Sequence, residues 1–118
     1  MVERRKLRRA RLAFNIKVTE ANSGLYLGNI VDMNVCGFAT VGETRTDTGR
    51  DYELQIHLPK PISGRHYFSC RAVVRRCDQI MGEHTREIGF EISGIELMDR
   101  RILEHIVAEY EERVIKSA

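Results

Sequence analysis

A chain of 118 residues with 42% hydrophobic and 31% charged side chains can bury one core and is too apolar to be disordered. Its net charge of +2 hides an uneven distribution. Six of the nineteen cationic side chains and one of the seventeen acidic ones fall in the first eleven residues; that tip carries +5, and the thirteen cations and sixteen acids left give the body −3.

The tip, residues 1–11, is expected to be a flexible basic segment ahead of a single domain over 12–118. Leu12, Phe14, Ile16 and Val18 then occupy every second position, a half-buried strand. Ala21 to Gly24 is a turn. Leu25 to Val31 reads as a second strand, interrupted by Asp32 to Gly37 and resumed from Phe38 to Val41. Gly42 to Gly49 is a polar loop. Tyr52, Leu54, Ile56 and Leu58 alternate until Pro59-Lys60-Pro61, where proline is expected to end the ladder. His66 to Cys77 is a long strand that carries Arg71, Arg75 and Arg76; alternation puts Arg71 and Arg75 on one face, and the three read as a solvated barrel face or an extra anion contact. Ile88, Phe90 and Ile92 form a last strand.

After Gly94 the period lengthens. Ile102, Ile106, Tyr110 and Val114 recur every four residues, an amphipathic helix over about 99–116 with Asp99 as its N-cap. Six or seven antiparallel strands followed by one helix make the fold mainly β, a small barrel with a C-terminal helix against it.

Several functions have no support in the sequence. No apolar run reaches the ~20 residues that span a bilayer, and no apolar stretch follows the charged N-terminus as in a secretory signal. A cytoplasmic protein without membrane insertion is expected. Cys36, Cys70 and Cys77 are odd in number and lack a C-x-x-C, so they read as reduced and mostly buried. His57, His66, His84 and His105 show no metal-ligand spacing. With no nucleophile–base arrangement and no P-loop, the chain is read neither as an enzyme nor as a holder of a metal or cofactor.

Two segments carry the functional reading. Arg5-Lys6-Leu7-Arg8-Arg9 is R-x-x-x-R, immediately before the first strand. Asp32-Met33-Asn34-Val35-Cys36-Gly37 is D-x-N-x-x-G, at a strand junction. Arg5 and Arg9, four apart, share a face in helix or strand alike. The ordered pair of motifs, with Ile88 to Ile92 as a last barrel strand and a helix after it, resembles the PilZ domain family of bacterial cyclic di-GMP receptors. The resemblance implies a six-stranded antiparallel barrel and a site made of Arg5 and Arg9 on one side and Asp32, Asn34 and Gly37 on the other. Arg4 and Arg8 form a second R-x-x-x-R and would give supporting phosphate contacts; Arg5 and Arg9 fit the distance to the strand pattern better.

These residue types suit such a ligand. Arg can donate two bonds to the O6/N7 edge of guanine, worth ~1–3 kcal/mol of discrimination, or can stack on a purine or hold phosphate. Asp32 would accept from guanine N–H groups or orient an arginine. Gly37 would provide positive φ or close backbone approach. Asn34 stands where the family has Ser. It keeps a donor and an acceptor on a larger side chain, and two readings stay open: a working site, or a ligand-free relative that serves as a protein-interaction module. The resemblance implies a downstream protein partner and control of motility or biofilm processes. A small nucleic-acid-binding barrel is the remaining alternative, and the scarcity of aromatic residues counts against it.

Overall fold

The computed structural model describes residues 15–80, 82 and 84–117, apart from the side chains beyond 109. Six strands are followed by one helix: β1 (Lys17–Glu20), β2 (Tyr26–Asn34), β3 (Gly37–Gly42), β4 (Asp51–Ile62), β5 (Arg65–Gln79), β6 (Arg86–Gly94) and α1 (Leu97–Ser117). The sheet closes in the order β1-β2-β3-β6-β5-β4, and every neighbouring pair is antiparallel. Closure falls on the pairing of Val18 with Ile56 and leaves no unpaired edge.

Period-two alternation fills the barrel. Val18, Leu27, Leu54, Ile56, Phe68, Ala72 and Val74 are fully buried. Phe38 and Phe90 pack with ring centroids 5.1 Å apart. Ile102, Leu103, Ile106 and Val107 of α1 join the same core, so this part of the expected helical stripe is core. Tyr110 and Val114 have side chains outside the described residues.

Four boundaries differ from the sequence expectation, each for a local reason. The first strand begins at Lys17; Ile16 and Val18 are buried as the alternation requires, while Leu12 and Phe14 lie outside the described residues. β2 is not interrupted at Asp32. It runs on to Asn34, and only Val35 and Cys36 turn the chain. β4 passes through Pro59 and Pro61 to Ile62, because the ladder to β5 is irregular between His57 and Ile62 and asks no N–H of either proline. α1 begins at Leu97, where the Arg100 N–H bonds the Glu96 carbonyl at 2.8 Å.

Asp99 is therefore in the first helical turn and is not the cap. Only 7% exposed, it accepts a hydrogen bond from Arg65 Nη2 at 2.7 Å and one from the Ser69 N–H at 3.2 Å. Its carboxylate seats the helix on β5.

Candidate functional site

The D-x-N-x-x-G segment forms the β2–β3 hairpin. Asn34 Oδ1 accepts hydrogen bonds from the Cys36 N–H at 2.7 Å and the Gly37 N–H at 3.0 Å. This is an Asx-type turn, in which a side-chain oxygen stands in for a backbone acceptor. The Cys36 carbonyl in turn accepts from the Ile92 N–H at 2.8 Å and pins the hairpin to β6.

Gly37 is required by close approach. It is not among the glycines with positive φ. A Cβ there would lie 2.2 Å from the Phe90 carbonyl oxygen, a distance real Cβ atoms do not show.

Two β-bulges decide which side chains face outward here. Ile30 pairs with Thr40 and Asp32 with Ala39, so Val31 is the extra residue. Strict alternation would send Asp32 to the core face with Ile30; the bulge turns it outward and buries Met33 to 2% instead. On β5, Val74 pairs with Phe90 and Arg76 with Gly89, which leaves Arg75 as the extra residue. Arg76, due inward after Val74, is thereby exposed beside Arg75.

The two bulges bring Asp32, Asn34, Gly37, Arg75, Arg76 and Glu91 around one cleft of about 350 Å³. Arg75 Nε donates to Glu91 Oε1 at 2.6 Å. Arg76 donates to Asp78 at 2.9 Å and to Glu87 at 3.1 Å. Burial works against the Arg76 charge, but its hydrogen bonds to Glu87 and Asp78 outweigh that and raise its pKa. Gly89 makes room for this side chain: a Cβ there would sit 3.0 Å from Arg76 Cγ.

The barrel half of the expected site is thus assembled at one place. Arg5, Arg9, Arg4 and Arg8 lie outside the described residues. Glu91 had escaped the sequence reading as a site residue, and Arg76 entered it only as one of three strand arginines, off the face shared by Arg71 and Arg75. The one available signal was Val73-Val74-Arg75-Arg76, two apolar and two charged neighbours that break alternation and so mark a bulge. Arg71 and Arg75 are both exposed, as expected, and Arg71 lies 3.5 Å from Glu53.

Among the described residues no cluster of His, Cys, Asp or Glu could hold a metal ion, and no helix is long and apolar enough to cross a membrane. The three cysteines are free, and Cys36 is exposed on the hairpin, against the expectation of mostly buried thiols. Cys70 is buried, and burial together with the charge of Asp99 pushes its pKa up to about 12. Near neutral pH it is a thiol with little nucleophilic character.

The PilZ domain family matches residues 3–109. No curated protein matches the chain. Among solved structures, the fold is similar to the Bacillus subtilis inhibitor of motility MotI/DgrA, with a TM-score of 0.68, 20% identity, and coverage of 88% of this chain and 50% of that one. It is also similar to K. pneumonia MrkH in its apo state, with a TM-score of 0.71, 15% identity, and coverage of 93% and 52%. A P2(1) crystal of MrkH gives a TM-score of 0.70 at 14% identity, with coverage of 94% and 50%. At these identities the likeness is one of fold, and the chain spans about half the length of either protein.

Proposed function

This chain belongs to the PilZ domain family, a family of receptor and effector domains, and we propose that it is a cytoplasmic receptor for cyclic di-GMP. The observation that carries this reading is the cleft at the β2–β3 hairpin, where two bulges and one Asx turn present Asp32, Asn34 and Gly37 beside Arg75 and Arg76. The free cysteines accord with the cytoplasm.

Charge explains why the basic tip is needed. Of the residues lining the cleft, Asp32 and Glu91 balance Arg75 and Arg76. A ligand with two phosphates would enter a neutral site and gain little. Arg5 and Arg9 supply the missing positive charge, with Arg4 and Arg8 in support. Asp32 accepts from a guanine N–H or orients an arginine. The close contact at Gly37 keeps the hairpin flat against β6 and the cleft open. Arg75 is recruited at small cost, because its pair with Glu91 is exposed and such pairs are worth about 0–1 kcal/mol. The altered surface is then read by a partner protein.

Asn34 favours a second reading. Its oxygen is spent on the turn, so the motif can persist for structural reasons in a domain that serves only as an interaction module. Calorimetric titration with cyclic di-GMP, with cyclic di-AMP and GTP as controls, separates the two. Saturable heat specific to cyclic di-GMP supports the receptor; no heat at tens of micromolar protein in low salt leaves the module.

A further inference from the structure

At the far end of β3 and β6 from the hairpin, Gly42 pairs with Arg86. Here the β3–β4 loop meets the outer ends of β5 and β6 in a second cleft of about 410 Å³. Arg45, Thr46, Asp47, Thr48, Gln79 and Arg86 line it. Arg86 is half-buried, and its Nη1 is wholly buried with no hydrogen-bond partner among the described residues. No other side-chain nitrogen or oxygen described is left in that state.

A buried cationic donor without an acceptor is costly, and native folds retain such a group where something answers it. The lining has two guanidiniums against one carboxylate, Asp47, and is net positive. Its loop is held in place: the Gly49 N–H bonds the Val74 carbonyl at 2.7 Å, the Val74 N–H bonds the Arg50 carbonyl at 2.9 Å, and Thr46 Oγ1 lies 2.8 Å from the Tyr52 hydroxyl. Arg86 and Arg45 therefore share the cleft with a loop that is held in place.

We infer that this cleft is an anion site for a phosphate group, free or carried as a monoester on a small molecule, held by Arg86 and Arg45. Guanidinium matches phosphate with paired hydrogen bonds, and both Arg86 and Arg45 line the cleft. Thr48 offers a hydroxyl donor, and Gln79 spends its own amide on the Gly82 carbonyl at 2.8 Å. The inference is independent of the cyclic di-GMP reading, since it shares no residue with the hairpin cleft.

The test is an NMR titration of the intact chain with inorganic phosphate, and in parallel with ribose 5-phosphate, at constant ionic strength. Saturable amide shifts confined to residues 45–48 and 86 are expected, with a dissociation constant of millimolar order for a small anion. Arg86→Met should raise that constant about tenfold, the loss of one charge-assisted contact. Asp32→Ala should leave it unchanged, even if that variant loses cyclic di-GMP. Equal constants for the two probes identify the free anion, and tighter binding of ribose 5-phosphate identifies the monoester. Shifts that never saturate, or an Arg86→Met constant equal to the parent's, overturn the inference. Should Arg86→Met not fold, Arg45→Gln takes its place, and an unchanged constant there overturns it equally.

Discussion

The two clefts at opposite ends of the β3–β6 pair handle arginine in opposite ways. At the hairpin end, Arg75 and Arg76 are answered by Glu91, Asp78 and Glu87. At the loop end, Arg86 Nη1 is buried with no partner among the described residues. An answered arginine is shaped but electrically spent, so on the proposed reading that cleft would need charge brought by the basic tip. An arginine nitrogen without a partner would instead favour an anion by itself. A count of arginines on a surface therefore says less about binding than the identity of what each one already touches.

The largest break in this comparison comes from Gly37→Ala. The added Cβ meets backbone, the Phe90 carbonyl, with nothing flexible to yield. A loss of about 3 kcal/mol or more is expected from forcing the β3–β6 pairing apart, read by urea denaturation. Gly49→Ala is the control: its φ of +87° strains a side chain, but nothing lies within 4 Å, and the cost should stay near 1 kcal/mol. Equal losses would show that the packing at Gly37 is not what holds the hairpin cleft.

Next in size are the effects on ligand. Asp32→Ala and Arg9→Ala should each weaken cyclic di-GMP binding by at least about tenfold, or 1.4 kcal/mol, by calorimetry, with little change in melting temperature. Arg65→Ala should do the reverse. It takes a partner from the buried Asp99 carboxylate, so a stability loss of about 1–2 kcal/mol is expected with ligand affinity intact. Binding lost in Arg65→Ala would mean that the helix seat and the hairpin cleft are one cooperative unit.

How far the sequence carried depended on whether a feature was local. Alternation marked the strands, and the four-residue period marked α1, because burial imposes those periods directly. The hairpin motif was legible for the same reason, as a run of adjacent residues. Arg76 was not. Its outward orientation comes from an extra residue at Arg75 whose register is set by β6, a strand whose pairing no local pattern reveals. Asp99 read as a cap because Asp near a helix start usually is one; its partners Arg65 and Ser69 are some thirty residues earlier. The unanswered Arg86 depends likewise on a loop forty residues away.

A smaller effect separates the arginines themselves. In phosphate-free buffer, Arg75→Gln should cost under about 1 kcal/mol, the worth of an exposed ion pair. Arg86→Met should cost nothing or stabilise, because an apolar side chain of similar length removes a buried donor that no described residue satisfies. Denaturation midpoints of the two variants give the sign directly. A clear loss in Arg86→Met would mean that its guanidinium is answered without an anion, and the contrast between the clefts would fail.

The smallest effect tests the residue on which the two readings of the hairpin cleft part. Asn34 Oδ1 holds two N–H groups. A serine hydroxyl makes the same kind of turn more weakly, so Asn34→Ser should cost roughly 0.5 kcal/mol, while Asn34→Ala, with no acceptor, should cost about 1–2 kcal/mol. For cyclic di-GMP the order should differ. Asn34→Ser should bind as well as the parent, because the turn oxygen faces the backbone in either residue and, on the proposed reading, Arg5, Arg9 and Asp32 would hold the ligand. If instead Asn34→Ser binds and the parent does not, the asparagine amide obstructs the cleft. The chain is then a PilZ domain whose hairpin kept its turn and gave up its ligand, and of the two clefts only the one at Arg86 would take an anion.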